Sequence, residues 1–322
     1  GRAYANDIIP KARGAAALTR VRADGPWLEG DRIAGVHARD LVSGAAFDVR
    51  AGHVIDATGV WEARADGPFG GTRLVPSRGS HLIVPRERIP VGGGMTIRVP
   101  GKVVFLVPWP DFWIVGTTDA PFDGPPERPN ASPQEVQRLI DVVNATLSVD
   151  LTHADVVGTY AGLRPLVGEA KGGSTVKVSR EHRVHVEASG LVRIGGGKYT
   201  TYRLMARDAV DAALGDGAWA RPSVTGELPL RGAASRAELD HLGARIASDH
   251  GLDPAVGARL VARHGTDASA VVALGAAAGS LVPLVPGRPF LEAELGWDAA
   301  RRAREVEAYL ASATVEYGVP RA

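Results

Sequence analysis

The chain is 322 residues long, with 45% hydrophobic and 23% charged residues, values of a globular protein and not of a disordered one. Its 37 Lys and Arg against 36 Asp and Glu leave a formal net charge of +1, without the basic excess of a nucleic-acid binder. The absence of cysteine excludes disulfides, thiolate metal sites and cysteine nucleophiles. No run of about 18 apolar residues is present to span a membrane as a helix.

The length suits two domains. The residues after Gly1 do not read as a secretory leader. Residues 1 to about 60 read as extended structure. Arg32–Arg39 and Ala46–Arg50 alternate apolar and polar positions, with Ser43-Gly44 as the turn between them. His53–Ala57 reads as a short buried strand that ends in Ala57-Thr58-Gly59, and further strands are expected at Ser80–Pro85, Lys102–Val107 and Phe112–Gly116. Pro108–Asp111 is the expected hairpin turn between the last two.

Ser132, Pro133 and Glu135 form a capping box at the start of a helix. Val136, Leu139, Ile140 and Val143 then make one apolar stripe. Strands are expected again at Val176–Val178, Arg183–Val186 and Leu191–Ile194, and a helix carries Tyr202, Met205, Ala206, Ala209, Val210 and Ala213 on one face. Beyond about Pro222 the pattern is helical. A second capping box, Ser235 with Glu238, opens a helix striped by Leu239, Leu242 and Ile246, and residues 254–264, 267–278 and 298–313 follow suit. The domain boundary is placed at 222–234, where Pro222, Pro229 and Gly232 interrupt the periodic segments.

The strongest chemical signal is the strand–Gly195-Gly196-Gly197-Lys198-Tyr199-Thr200-Thr201–helix junction. Glycines let backbone approach a ligand without a Cβ between them, and the helix start offers unpaired N–H groups to an anionic or electron-rich group. The alternative is a glycine turn with a threonine cap. Only five of the cations are lysines (Lys11, Lys102, Lys171, Lys177 and Lys198), which singles out the one inside this cluster. Arg164, before Pro165, is pushed toward extended backbone, which is expected to project its guanidinium from a strand end and suits two-point recognition of a carboxylate or phosphate. The competing reading is an ordinary salt-bridged arginine. Thr117, Thr118 and Asp119 read as a turn or cap, and His81 as a structural histidine. Neither a P-loop nor G-x-S-x-G is present, and no histidine spacing suggests a metal.

Six segments in this order resemble the FAD-dependent (aerobic) glycerol-3-phosphate dehydrogenases. They are Val54–Trp61, Arg78–Pro85, Val107–Trp109, Ile114–Asp119, Tyr160–Pro165 and Gly195–Arg203. The resemblance runs from about residue 3 to the C-terminus, where Leu228–Gly232 and Arg259–Asp267 are similar to that family's C-terminal cap. It implies an α+β / α/β chain. Residues 1–222 would form a partial FAD-binding, Rossmann-like domain with an antiparallel β substrate domain, and 223–322 a small all-α cap.

By the same resemblance, Ala57, Thr58 and Gly59 and the Gly195–Thr201 junction would hold FAD. Arg164 would clamp glycerol 3-phosphate, Lys198 would sit beside substrate and flavin, and His81 stands as a third candidate catalytic residue. The implied reaction gives dihydroxyacetone phosphate and passes electrons to a membrane quinone; the alternatives are an oxygen-using flavin oxidase or an inactive fragment lacking the FAD fingerprint. The implied setting is cytoplasmic, with peripheral contact to the inner face of the plasma membrane, and a homodimer is compatible with it. The G-x-G-x-x-G fingerprint and its following acid are absent. The expectation is therefore an N-terminally truncated member, shortened again where Pro289–Glu294 meets Leu295–Asp298.

Overall fold

The computed structural model describes residues 14–63, 69, 74–100, 102–109, 111–168, 179–277 and 299–320. The expected strand at Val176–Val178 and the junction at Pro289–Asp298 lie outside them. The chain forms two compact units. One comprises Arg20–Ser223 together with the residues from Ala311 onward; the other contains Val224–Leu310.

The first unit begins with three strands, β1 (Val21–Glu29), β2 (Arg32–Asp40) and β3 (Ala46–Arg50), paired antiparallel in that order. β1 escapes a reading from alternation because Gly25-Pro26 interrupts it, and its register with β2 shifts between Ala23 and Gly25. Next come β4 (Ile55–Asp56), β5 (Leu74–Pro85), β6 (Met95–Val99), β7 (Lys102–Trp109), β8 (Phe112–Gly116) and β9 (Ala120–Pro121). Helix α1 (Pro133–Thr146) leads to β10 (Gly158–Val167), β11 (Arg183–Val186), β12 (Val192–Gly195) and helix α2 (Tyr202–Leu214).

A large antiparallel sheet runs β10-β5-β8-β7-β6, with β9 on β5. Successive side chains of a strand point to opposite faces, and β7 shows the consequence. Val104 and Leu106 are buried, whereas Val103, Phe105, Val107 and Trp109 are exposed. The buried face packs with Leu82, Val84, Ile97, Trp113 and Val115 against the Val136, Leu139, Ile140 and Val143 stripe of α1. Each such side chain contributes roughly 1.5–3 kcal/mol when fully removed from water. The indole N–H of the fully buried Trp113 donates to the Ile89 carbonyl at 3.0 Å. The opposite face of this sheet carries the exposed Val103 and Phe105 of β7 alongside Thr96, Arg98, Asp119 and Arg164.

A smaller sheet runs β11-β12-β4, in which β12 and β4 are parallel, with Val192 opposite Ile55 and Arg193 opposite Asp56. Parallel pairing puts the C-terminal ends of both strands at the same edge. The turn after β4 and the glycines after β12 therefore emerge side by side.

The second unit is helical: α3 (Arg236–His250), α4 (Pro254–His264) and α5 (Ala268–Ala277) pack through Leu242, Ile246, Val256, Leu260, Val261, Ala268 and Val272. A last helix, α6 (Ala299–Tyr317), follows, of which the residues up to Leu310 belong to this unit and those from Ala311 to the first. The Ser235 capping box forms as its sequence predicts, with Glu238 N donating to Ser235 Oγ at 3.3 Å and Ser235 N to Glu238 Oε2 at 2.8 Å.

Candidate functional site

Two of the depressions in the first unit lie on either side of one strand. Arg164 and Pro165 are consecutive in β10, and each lines a different one.

The first is a cavity of about 660 Å³ on the face of the large sheet opposite α1. Its charged lining is Arg98, Arg164, Arg180 and Asp119, three guanidiniums against one carboxylate. Arg164 does not stand at a strand end, as the proline after it suggested. β10 continues to Val167, with Arg164 opposite Ser77 and Pro165 opposite Pro76. The proline is tolerated because β10 is an edge strand. The Arg164 Nη2 donates to Thr117 Oγ1 at 2.9 Å and Nη1 to the Thr118 carbonyl at 3.4 Å. The guanidinium lies over Gly79, where a Cβ would collide with it and with Thr117. Burial lowers the Arg164 pKa, the Asp119 carboxylate opposes that shift, and Arg180 adds to it. At any physiological pH the group remains a cation.

The segment Gly116–Asp119, taken above as a turn or cap, organises this cavity. Thr118 is buried; its hydroxyl accepts from the Ser80 N–H at 2.9 Å and donates to Glu135 at 2.6 Å. Asp119 accepts from the Ser77 hydroxyl at 2.7 Å and from Arg180 at 2.8 Å. Neither Asp119 nor Arg180 carries a local sequence signal for this role. The pair is 61 residues apart, so only the fold brings it together.

His81 lines neither depression. It lies opposite Tyr160 in the β5–β10 ladder and stacks on it, with ring centroids 4.6 Å apart and planes 6° apart. Its other side abuts Gly116, where a Cβ would enter the imidazole. Burial, reinforced by Arg164, pushes its pKa down to about 4, so the ring is neutral at pH 7. Its buried Nδ1 makes no hydrogen bond within the protein.

The second depression, about 500 Å³, is a groove at the shared edge of β4 and β12. Ala57, Gly196, Gly197, Lys198 and Tyr199 line it with Pro165 and the Tyr202, Met205 and Ala206 face of α2. Gly196 and Gly197 have φ of 77° and 78°, a region that favours glycine. Asp56 folds the turn after β4: its Oδ1 accepts from the Thr58 N–H at 3.0 Å and the Thr58 hydroxyl at 2.7 Å. Thr201 does not present a free hydroxyl to a ligand. It donates to the Lys198 carbonyl at 2.9 Å and accepts from the Lys198 N–H at 3.3 Å, closing the turn on itself. Lys198 itself is exposed at the groove.

Arg164 and Lys198 therefore belong to neighbouring depressions and not to one cluster. The second cation beside Arg164 is Arg180, which the sequence did not reveal. Among the described residues no group of acids and histidines is arranged to hold a metal.

A parallel strand pair ending in close-approach turns, beside an antiparallel sheet with a cationic cavity, gives the first unit a mixed α/β layout in which a ligand can sit at strand ends. No family model matches the chain. Its relatives are specific. Glycerol-3-phosphate dehydrogenase 2 of Mycobacterium tuberculosis (strain ATCC 25618 / H37Rv) is 40% identical over 278 residues, 84% of this chain and 47% of the relative. The mitochondrial glycerol-3-phosphate dehydrogenase of Homo sapiens is 34% identical over 277 residues, 82% of this chain and 38% of that one. Among solved structures, the glycerol-3-phosphate dehydrogenase from Bacillus halodurans complexed with FAD matches with a TM-score of 0.71 and 26% identity, over 82% of this chain and 53% of that one. The matched stretch belongs to the glycerol-3-phosphate dehydrogenase family. The chain spans about half the length of the curated relatives it matches.

Proposed function

We propose that this chain serves the FAD-dependent oxidation of sn-glycerol 3-phosphate to dihydroxyacetone phosphate. The observation that carries the reading is the division of labour across β10: Arg164 faces a cation-lined cavity and Pro165 an apolar groove at two strand-end turns. The groove suits a flat, largely apolar ring system. Its turns approach closely, its walls are Pro165, Tyr199 and Met205, and Lys198 supplies a cation at its rim. The chemistry that FAD would supply when bound is acceptance of the C2 hydrogen with its electron pair, the hydroxyl proton leaving to a base or to water, so that the C2 carbinol of the substrate becomes a ketone.

The chain's own residues do the rest by binding and orientation. Arg164 and Arg180 hold the phosphate dianion, Arg164 by the two-point geometry that its Thr117 and Thr118 contacts pre-set. Lys198 sits on the side toward the ring system and complements negative charge there. Ala57, Thr58, Gly59, Gly195, Gly196, Gly197, Tyr199, Thr200 and Thr201 form the two turns against which the ring lies. His81 stands as a neutral group next to Arg164, not as a resting acid. The proposal extends to a membrane quinone as final acceptor, with a cytoplasmic location peripheral to the inner face of the plasma membrane, because a lipid-soluble acceptor has to be reached there.

The test is anaerobic titration of the chain with FAD present. Glycerol 3-phosphate is expected to bleach the flavin absorbance and glycerol to leave it unchanged, with R164A abolishing the response. A flavin that stays bound and fully oxidised in saturating glycerol 3-phosphate overturns the reading.

A further inference from the structure

We infer that Asp119 is a positioning residue for phosphate recognition: its carboxylate holds Arg180 in place beside Arg164, so that two like charges face one ligand. This rests on the reading of the cavity as the substrate-phosphate site.

Two guanidiniums that share a cavity repel each other. At Arg164, burial does most to lower the pKa, Asp119 opposes that lowering and Arg180 adds to it. Arg164 is held in place by its bonds to Thr117 and the Thr118 carbonyl, over Gly79. Arg180 can move away: its side chain is 45% exposed, against 11% for Asp119. With no opposing charge, the lowest-energy rotamers of Arg180 point into water, away from Arg164. Asp119 reverses that preference with an ion pair of 2.8 Å. The carboxylate is itself fixed, since its other oxygen takes the hydroxyl of the fully buried Ser77 at 2.7 Å. The sequence Ser77–Asp119–Arg180 is therefore a rigid post from the sheet to the cavity wall. It costs one negative charge in a site built for an anion, leaving two net positive charges among the lining residues, the charge of a phosphate monoester dianion.

The two effects of Asp119 have opposite signs, which makes the idea testable. As a mere charge, Asp119 repels phosphate, so D119N would tighten binding. As a positioning residue it aids binding, so D119N weakens it. The experiment measures glycerol 3-phosphate and inorganic phosphate affinity by calorimetry on the flavin-free chain, with thermal melts of every variant. D119N is expected to weaken glycerol 3-phosphate binding about tenfold, the scale of one charge-assisted hydrogen bond, and D119E to recover most of it. In the R180A background there is nothing left to position, so the same D119N change is expected to leave affinity equal or tighter.

Weaker binding by D119N in both backgrounds, or tighter binding in both, overturns the inference and leaves the reading of the cavity intact. If the wild-type chain binds neither ligand, both the inference and the cavity assignment fall. If binding is intact and the flavin is not bleached by substrate, only the oxidation chemistry falls.

Discussion

The Thr118 hydroxyl donates to Glu135 Oε1 at 2.6 Å, joining the start of α1 to the segment that shapes the cationic cavity. Glu135 is the capping-box acid of α1, and its other oxygen accepts from the Ser132 N–H and hydroxyl, both at 3.1 Å. The same oxygen pairs with Arg78 at 2.7 Å. A residue whose sequence signature is purely local thus also supports the site. Burial acts to raise its pKa, but the Thr118 hydroxyl, the Ser132 N–H and Arg78 outweigh it and hold the carboxyl below its usual range.

Removing the cap alone, with S132A, is expected to cost about 1 kcal/mol in urea unfolding. E135A removes the cap and strands both Arg78 and Thr118, and is expected to cost about 3 kcal/mol or more. Because the folded-state pKa is depressed, the stability this carboxylate supplies is present above the unfolded carboxylate pKa and is lost as pH falls through the folded value. Wild type should accordingly lose more stability on acidification than E135Q. Equal acid sensitivity of the two would show that Glu135 is not the charged anchor.

His81 contributes a different pH dependence. Its pKa is about 4 in the folded chain against 6.5 for an unperturbed imidazole. Between those values the unfolded state binds more protons, so stability falls as pH drops through that window. The whole effect amounts to at most about 3 kcal/mol. Melts of wild type and H81Q at pH 7 and pH 5 should show a steeper loss for wild type. Parallel losses would mean that the imidazole is hydrated and ordinary.

How much of this could be read from the chain depends on the range of each interaction. Both capping boxes, at Ser132 and Ser235, need only four residues, and both form where their sequence places them. The strand-end glycines at 195–197 are equally local, and so are the Ala57–Gly59 turn and the alternation in β2 and β3. Arg180 and Asp119 pair across 61 residues of chain, and nothing adjacent to either residue encodes it. Pro165 misleads for a related reason. A proline signals a strand end only when the strand is central, and that β10 lies at an edge is decided by pairing with β5. Thr201 carries hydroxyl chemistry in its sequence context, yet the tightness of its own turn consumes it.

Two glycines of the site should respond oppositely to the same substitution. At Gly79 an added methyl meets the far end of Arg164, a flexible side chain, and Thr117. At Gly116 it meets the His81 ring, which is stacked on Tyr160 and has nowhere to turn. G116A is therefore expected to cost about 1–3 kcal/mol in stability, the range of overpacked sites. G79A is expected to leave the melt nearly unchanged while displacing the guanidinium and weakening glycerol 3-phosphate binding. Calorimetry and melts on the two variants separate these outcomes. A G79A chain that binds as wild type would mean that Arg164 is not held where the ligand needs it.

The groove has its own charged support beneath it. Asp56 is 1% exposed and Arg193 6%; they face each other across the parallel β4–β12 pair at 3.4 Å. Arg193 also donates to Glu187 at 2.5 Å and to the Phe69 carbonyl. R193M leaves the buried Asp56 carboxylate uncompensated and is expected to cost about 3 kcal/mol or more, whereas D56N leaves Arg193 its Glu187 partner and is expected to cost less. The double variant should cost less than the sum of the two, because neither stranded charge remains. D56N still offers Thr58 an acceptor, whereas D56A removes it and frees the Ala57–Gly59 turn. Of the two, D56A alone should therefore weaken flavin retention beyond what its loss of stability explains. Equal retention by D56N and D56A, measured at matched folded fractions, would place the function of Asp56 entirely in its charge and none of it in the turn.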